Sequence, residues 1–263
     1  MATAMKTKSP WLVHHARHER PTLRLICFPY AGAGAAAFRN WAQSLPDEID
    51  VLAIQPPGRE GRFTEPFATD LRRMAASVVE ALVPWLDVPF ATFGHSLGTL
   101  LSFETVLELR RRSLRLPSHM VLSGRGAPHT RCGRSDYHLL SRERFIEELR
   151  KMEGTPEEVL ESEELMSLLL PMLRADFALN STYTVGSEPP LPCPMTVYGG
   201  TTDVDARGAV LDEWQRYTTS AFAVHMFEGG HFFVNSARAQ VLQSLKRDLD
   251  VSVREDSLLD GVR

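Results

Sequence analysis

Several things are scarce in this chain of 263 residues. Cysteine occurs only as Cys27, Cys132 and Cys193, with no paired spacing of the kind that grips a metal. The thiols therefore read as reduced, one of them within an apolar strand, which excludes a disulfide scaffold and suits a cytoplasmic protein. No run of about 18 apolar residues exists, so no membrane-spanning helix is expected. Residues 1–20 carry three histidines but no apolar signal core. They are expected to form a mobile arm ahead of a single domain over 21–263. An excess of positive charge is also missing: Lys and Arg number 29 against 33 Asp and Glu, a net charge of −4. That excludes bulk attraction to nucleic acid or to an acidic membrane surface. The phosphate-cradling pattern G-x-G-x-x-G and a Walker lysine are lacking, as are internal repeats and low-complexity stretches. A chain acting as a monomer, with no metal and no cofactor of its own, is the expectation.

What remains is ordinary for a globular enzyme: 43% hydrophobic and 24% charged residues. Short apolar runs alternate with helical patterns. Strands are expected at Leu23–Phe28, Ile49–Gln55, Phe90–Phe93, Met120–Ser123, Met195–Tyr198 and Phe222–Phe227. Helices are expected at Ala35–Leu45, Leu71–Leu86, Thr99–Arg112, Val210–Tyr217 and Ala237–Val251. Such alternation makes an α/β fold, a mostly parallel sheet with helices on both faces. It breaks between about 128 and 187, where no strand but at least two helical patterns occur, Ser141–Met152 and Pro156 to Leu173, with Asp176–Asn180 beyond. A helical insertion there would form a lid over the active-site face.

Residues 94–98 read Gly-His-Ser-Leu-Gly between a strand and a helix. That is the G-x-S-x-G nucleophile elbow in its required context, although the pentapeptide alone also occurs as a plain strand-to-helix turn. Ser96 needs a base and an orienting carboxylate, which the α/β-hydrolase order supplies downstream as acid, then histidine. Asp203 follows the Met195–Tyr198 strand and Gly199-Gly200, with Asp205 as its competitor. His231 follows Gly229-Gly230 and precedes Phe232-Phe233, whereas His95 is expected to pack beside the elbow. The backbone N–H groups of Leu97 and of Ala31, in the loop Pro29–Gly34, are the candidate oxyanion donors. Tyr30, Met166, Phe177 and Phe232 are the candidates for contact with an acyl group, although Met and Leu in the insertion also serve as its own core.

The chain resembles the type II thioesterases associated with polyketide and nonribosomal peptide synthases, a group that includes the medium-chain thioesterase of fatty acid synthesis. The likeness rests on Phe28-Pro29-Tyr30-Ala31-Gly32-Ala33, Gln55-Pro56-Pro57-Gly58-Arg59-Glu60-Gly61-Arg62, the elbow, Arg174-Ala175-Asp176 and Gly229-Gly230-His231-Phe232-Phe233. It implies an α/β-hydrolase fold and hydrolysis of acyl thioesters on the phosphopantetheine arm of a carrier protein. Removal of aberrant acyl groups and release of finished chains are the two roles implied. A stand-alone carboxylesterase or lipase, and an acyltransferase, are alternatives with the same triad. Arg59 and Glu60 read as an ion pair or loop anchor. The stretch from Leu109 to Ser135 has no acidic residue but holds Arg110, Arg111, Arg112, Arg115, Arg125, Arg131 and Arg134. It is a candidate docking face for an acidic carrier, or simply a solvated helix end.

Overall fold

The computed structural model describes residues 9–15, 21–130, 136–206 and 208–260. Seven strands form one sheet: β1 (Leu12–His14), β2 (Leu23–Phe28), β3 (Ile49–Ile54), β4 (Phe90–His95), β5 (His119–Ser123), β6 (Met195–Gly200) and β7 (Phe222–Phe227). Their order is β1-β3-β2-β4-β5-β6-β7, parallel throughout except for β1, which runs antiparallel against β3. The edge strand corrects one expectation. Within the 1–20 arm, Leu12–His14 are hydrogen-bonded into the sheet, and the His14 ring sits 2.5 Å from the buried carboxylate of Asp50. The rest of the arm's ends, 1–8 and 16–20, lie outside the described residues.

Alternation along each strand sorts the core into two layers. Leu23, Leu25 and Cys27 of β2 point to the face covered by Val241, Leu245 and Leu249, whereas Ile26 and Phe28 point to the opposite helices. Those helices are α1 (Leu71–Leu82) and α2 (Leu97–Arg111). The Asp70 side chain accepts from the Arg73 N–H and so starts α1, which buries Leu71, Met74, Ala75, Val78, Val79 and Leu82 at helical spacing. Helix α2 is buried almost all round, lying beneath both α1 and the insertion.

The insertion between β5 and β6 contains α3 (Arg142–Lys151), α4 (Glu157–Glu161) and α5 (Glu163–Thr182). Ser162 separates the last two: its extended backbone (φ −78°, ψ 111°) ends α4, and its hydroxyl caps α5 by accepting from Leu165. Helix α5 thus begins later than the sequence pattern suggests and continues through Pro171. Two further expectations are revised. Ala35–Leu45 forms two short 3₁₀ turns, because its amides bond three residues back, Ala37 to Gly34 and Arg39 to Ala36. Val210–Tyr217 splits into α6 (Ala209–Asp212) and another 3₁₀ turn. The chain closes with α7 (Phe233–Ser236) and α8 (Arg238–Asp260).

After β3 the chain crosses back over β2 to form β4, so strand order reverses between β2 and β4. The crevice outside the carboxyl ends of those two strands is where open α/β sheets place their ligands.

Candidate active site

One residue, Ser96, separates β4 from α2, and it alone must reverse the chain. Its backbone sits at φ 54° and ψ −117°, a region that L-residues avoid. The Ser96 N–H donates to the Ser123 carbonyl at 2.8 Å, which holds the turn on the neighbouring strand. A Cβ on residue 94 would stand 2.4 Å from the Gly98 carbonyl oxygen, and one on residue 98 would stand 2.1 Å from that of Phe28. Strand, helix and the loop after β2 therefore meet with no room for side chains at either flank. His95 is fully buried, its Nδ1 2.9 Å from the Ser123 hydroxyl and its ring packed between those of Tyr30 and His231. It packs beside the elbow, as expected.

The loops after β6 and β7 converge on Ser96. A Cβ on Gly200 would lie 2.4 Å from the Gly230 carbonyl oxygen. The Thr202 N–H bonds to the Gly229 carbonyl at 3.0 Å, so the two loops are stitched backbone to backbone. Phe233 anchors this junction in the core, stacked on Phe227. The result is a hydrogen-bonded line: the Ser96 hydroxyl lies 3.0 Å from His231 Nε2, and His231 Nδ1 lies 2.7 Å from an oxygen of Asp203. Asp203 is 2% exposed and His231 8%. Of the two competing aspartates it is Asp203 that meets the imidazole; the Asp205 N–H donates to the other Asp203 oxygen at 3.1 Å.

A cavity of about 310 Å³ opens above this line. Ser96, Leu97, Ala31 and His231 form its floor, and Leu149, Met152, Leu173 and Phe177 of the insertion form its wall. Leu97 is the first residue of α2, a position whose N–H has no acceptor within its own helix. Tyr30, Phe177 and Phe232 line the cavity as the sequence suggests. Met166 does not. It is fully buried in the insertion's own core with Phe145, Leu160 and Leu170, while Leu169, Met172 and Leu173 turn toward the cavity instead. Asn180 and the 8%-exposed Arg125 also line the cavity, and neither was singled out for that from the sequence. Asn180 follows Leu173 and Phe177 at helical spacing, which is the signal that finds it.

The arginine-rich stretch is not one face. Arg110 and Arg111 bind Glu188, Arg111 also binds Glu104, and Arg112 binds Glu108. Burial works against ionisation of Glu188, but the two guanidinium hydrogen bonds outweigh it and hold its carboxyl below the ordinary range. These arginines close α2, whose 15 residues put them about 22 Å along the helix from its Ser96 end. Arg125 is buried at the cavity and Arg115 is exposed. Arg131 and Arg134 lie outside the described residues.

A parallel sheet with this strand order, a serine on a strained turn at its centre, and an acid and a histidine on later loops make up the α/β-hydrolase fold. Residues 23–249 match the family model described as the thioesterase domain. The chain belongs to this thioesterase family and is a thioester hydrolase. It is 41% identical over 247 residues to the gramicidin S biosynthesis protein GrsT of Aneurinibacillus migulanus, covering 94% of this chain and 96% of that one. The RedJ thioesterase from the prodiginine biosynthetic pathway in Streptomyces coelicolor superposes with a TM-score of 0.82 at 36% identity, covering 87% of this chain and 91% of that one. The type II thioesterase BorB from the borrelidin biosynthetic cluster superposes with a TM-score of 0.84 at 32% identity, covering 92% and 99%. No helix among the described residues is long and apolar enough to cross a membrane.

Proposed function

We propose that this thioesterase hydrolyses acyl or peptidyl thioesters carried on the phosphopantetheine arm of a carrier protein. It would serve a nonribosomal peptide, polyketide or fatty acid synthase by clearing aberrant acyl groups or releasing chains. The supporting observation is the hydrogen-bonded line Asp203–His231–Ser96 on the floor of a cavity with an apolar wall. The relatives named for gramicidin S and borrelidin biosynthesis, the second a type II thioesterase, support the same reading.

In this reading His231 Nε2 takes the Ser96 proton as Oγ attacks the thioester carbonyl, and Asp203 steadies the imidazolium through Nδ1. The N–H groups of Leu97 and Ala31 bind the oxyanion of the tetrahedral intermediate. Collapse breaks the carbon–sulfur bond, and His231 returns the proton to the departing pantetheine thiol. Water then attacks the acyl-enzyme through the same base, freeing the carboxylic acid and restoring the Ser96 hydroxyl. Tyr30, Phe177 and Phe232 contact the acyl group. No cofactor is drawn upon, because phosphopantetheine arrives with the substrate, and the cytoplasm is the place of action.

The test is mass spectrometry of a panel of acylated carrier domains incubated with the protein and with Ser96→Ala. Loss of the acyl mass, with free acid as product, is expected for the wild type. Ser96→Ala should be slower by about three orders of magnitude or more. Acyl transfer to a nucleophile other than water, or faster cleavage of oxygen esters of equal chain length, would overturn the assignment.

A further inference from the structure

The segment Gln55–Arg62 performs no step in the chemistry above, yet it wraps the loop that carries Ala31. Gln55 accepts from the Ala35 N–H at 3.1 Å and donates to the Arg59 carbonyl at 3.1 Å. The Glu60 carboxylate accepts from the Ala36 N–H. At the centre lies Arg59, 6% exposed, in a two-pronged ion pair with Asp176, 3% exposed. Arg59 Nη1 is 2.5 Å from one Asp176 oxygen, and Nη2 is 2.8 Å from the other.

Both partners also hold the backbone around Ala31. The Gly32 N–H donates to Asp176 at 2.8 Å, and Arg59 donates to the Ala33 carbonyl at 3.3 Å. The turn is closed on itself by the Ala33 N–H to the Tyr30 carbonyl at 3.0 Å. The two residues after Ala31 are therefore fixed by one buried pair, Tyr30 before it is tied to the same turn through Ala33, and Ala31 itself lines the cavity. Asp176 reaches the loop from α5, five residues after Pro171, whose missing N–H removes one helical hydrogen bond. Leu173 of the same helix presses on the turn, 2.7 Å from where a Cβ on Gly32 would stand.

A bidentate guanidinium–carboxylate pair has directional, short hydrogen bonds, and inside a protein it is stiff. An oxyanion donor needs such stiffness, since it acts only if it is already aimed where charge will develop. We propose that Arg59 and Asp176 are positioning residues that set the Ala31 N–H against Ser96 and seat the C-terminal half of α5 on the same loop. The proposal rests on the reading of Ala31 as an oxyanion donor. It assigns a task in the reaction to two residues that touch neither substrate nor nucleophile.

The test uses the hexanoyl thioester of N-acetylcysteamine as substrate, a trifluoromethyl ketone as a probe that forms an alkoxide with Ser96, and a non-reacting thioether analogue. Asp176→Asn keeps the shape and one acceptor oxygen. It should lower kcat about 10-fold to 100-fold, up to the effect of losing one oxyanion donor, with KM within about twofold. The ketone should weaken by the same factor and the thioether analogue should not. Arg59→Lys, which loses the fork, should behave alike. If Asp176→Asn melts below the assay temperature, the neutral pair Arg59→Gln with Asp176→Asn removes the stranded buried charge and must give the same pattern. A folded variant with unchanged kcat, or equal weakening of ketone and thioether, overturns the proposal. A Ser96→Ala protein that turns over at the wild-type rate would instead overturn the underlying reading of the site.

Discussion

The close backbone approach at the elbow offers the sharpest perturbation, Gly98→Ala. The added methyl carbon would lie 2.1 Å from the Phe28 carbonyl oxygen and 2.7 Å from that of Pro29. Both are backbone atoms at the end of β2, leading into the loop that holds Ala31. Neither is the end of a flexible side chain, so relief requires α2 or that loop to retreat by more than about 1 Å, given that non-bonded carbon contacts favour about 3.5 Å. Overpacking of this kind costs about 1–3 kcal/mol, and its backbone character places this case at the upper end. A loss near 3 kcal/mol lowers Tm by roughly 6–12 °C in a domain of this size. The catalytic effect should be larger, because the retreat parts the Leu97 N–H from the Ala31 N–H. A misplacement of about 1 Å costs on the order of 100-fold. Thiol release from an acyl thioester, measured beside a thermal melt, reads both quantities. Gly61→Ala is the control, since a Cβ there meets nothing within 4 Å. A Gly98→Ala protein with wild-type kcat and Tm would refute the claim that the elbow and the oxyanion loop are held at contact distance.

Further outcomes follow from the same geometry. Asp203→Asn should reduce kcat by about 100-fold to 10,000-fold, because the imidazole loses its orienting charge, whereas Asp205→Asn should stay within about tenfold; comparison of the two by steady-state kinetics decides. Burial pushes the Cys193 thiol up to about 12 and raises the Cys27 thiol well above its ordinary value. Neither should be alkylated by iodoacetamide in the native protein at pH 8, while both should react in denaturant, as peptide mass mapping would show. Because folding raises the Cys193 value, the folded state holds that proton where the unfolded chain has lost it. Stability should therefore decline as pH rises above about 9, and a Cys193→Ala protein should decline less in pH-dependent denaturant melts. Glu188 has the opposite sign: its lowered carboxyl stabilises the fold above the ordinary carboxylate range and ceases to do so as pH falls through its folded value. Glu188→Gln should flatten the acid limb of the same stability curve.

Much of the molecule was legible before any coordinates. Six of the seven strands are legible: β2 to β6 as short apolar runs, because a parallel strand buried on both faces needs nothing else, and β7 as an alternating edge strand. Strand β1 was not legible: Leu12–His14 is three residues whose pairing with β3 is a long-range hydrogen-bonding event. Ala35–Leu45 reads as a helix because alanine favours one locally, while packing against β3 and the Gln55–Arg62 segment decides the actual path. The elbow and the Gly-Gly-His loop were readable because tight turns demand small residues at fixed spacing.

Ser96 and His231 could thus be chosen from the sequence alone, since each lies on a turn whose glycines advertise it. The choice between Asp203 and Asp205 could not be made there. Two carboxylates two residues apart in a loop differ only in direction, and direction is set by the stitching of that loop to Gly229. The same holds for Met166 and Leu169, which share a helix and differ only in the face they present. The ion pair of Arg59 with Asp176 joins residues 117 positions apart. Local composition determines which turns and strands form; which distant charges meet is decided when the insertion packs onto the sheet.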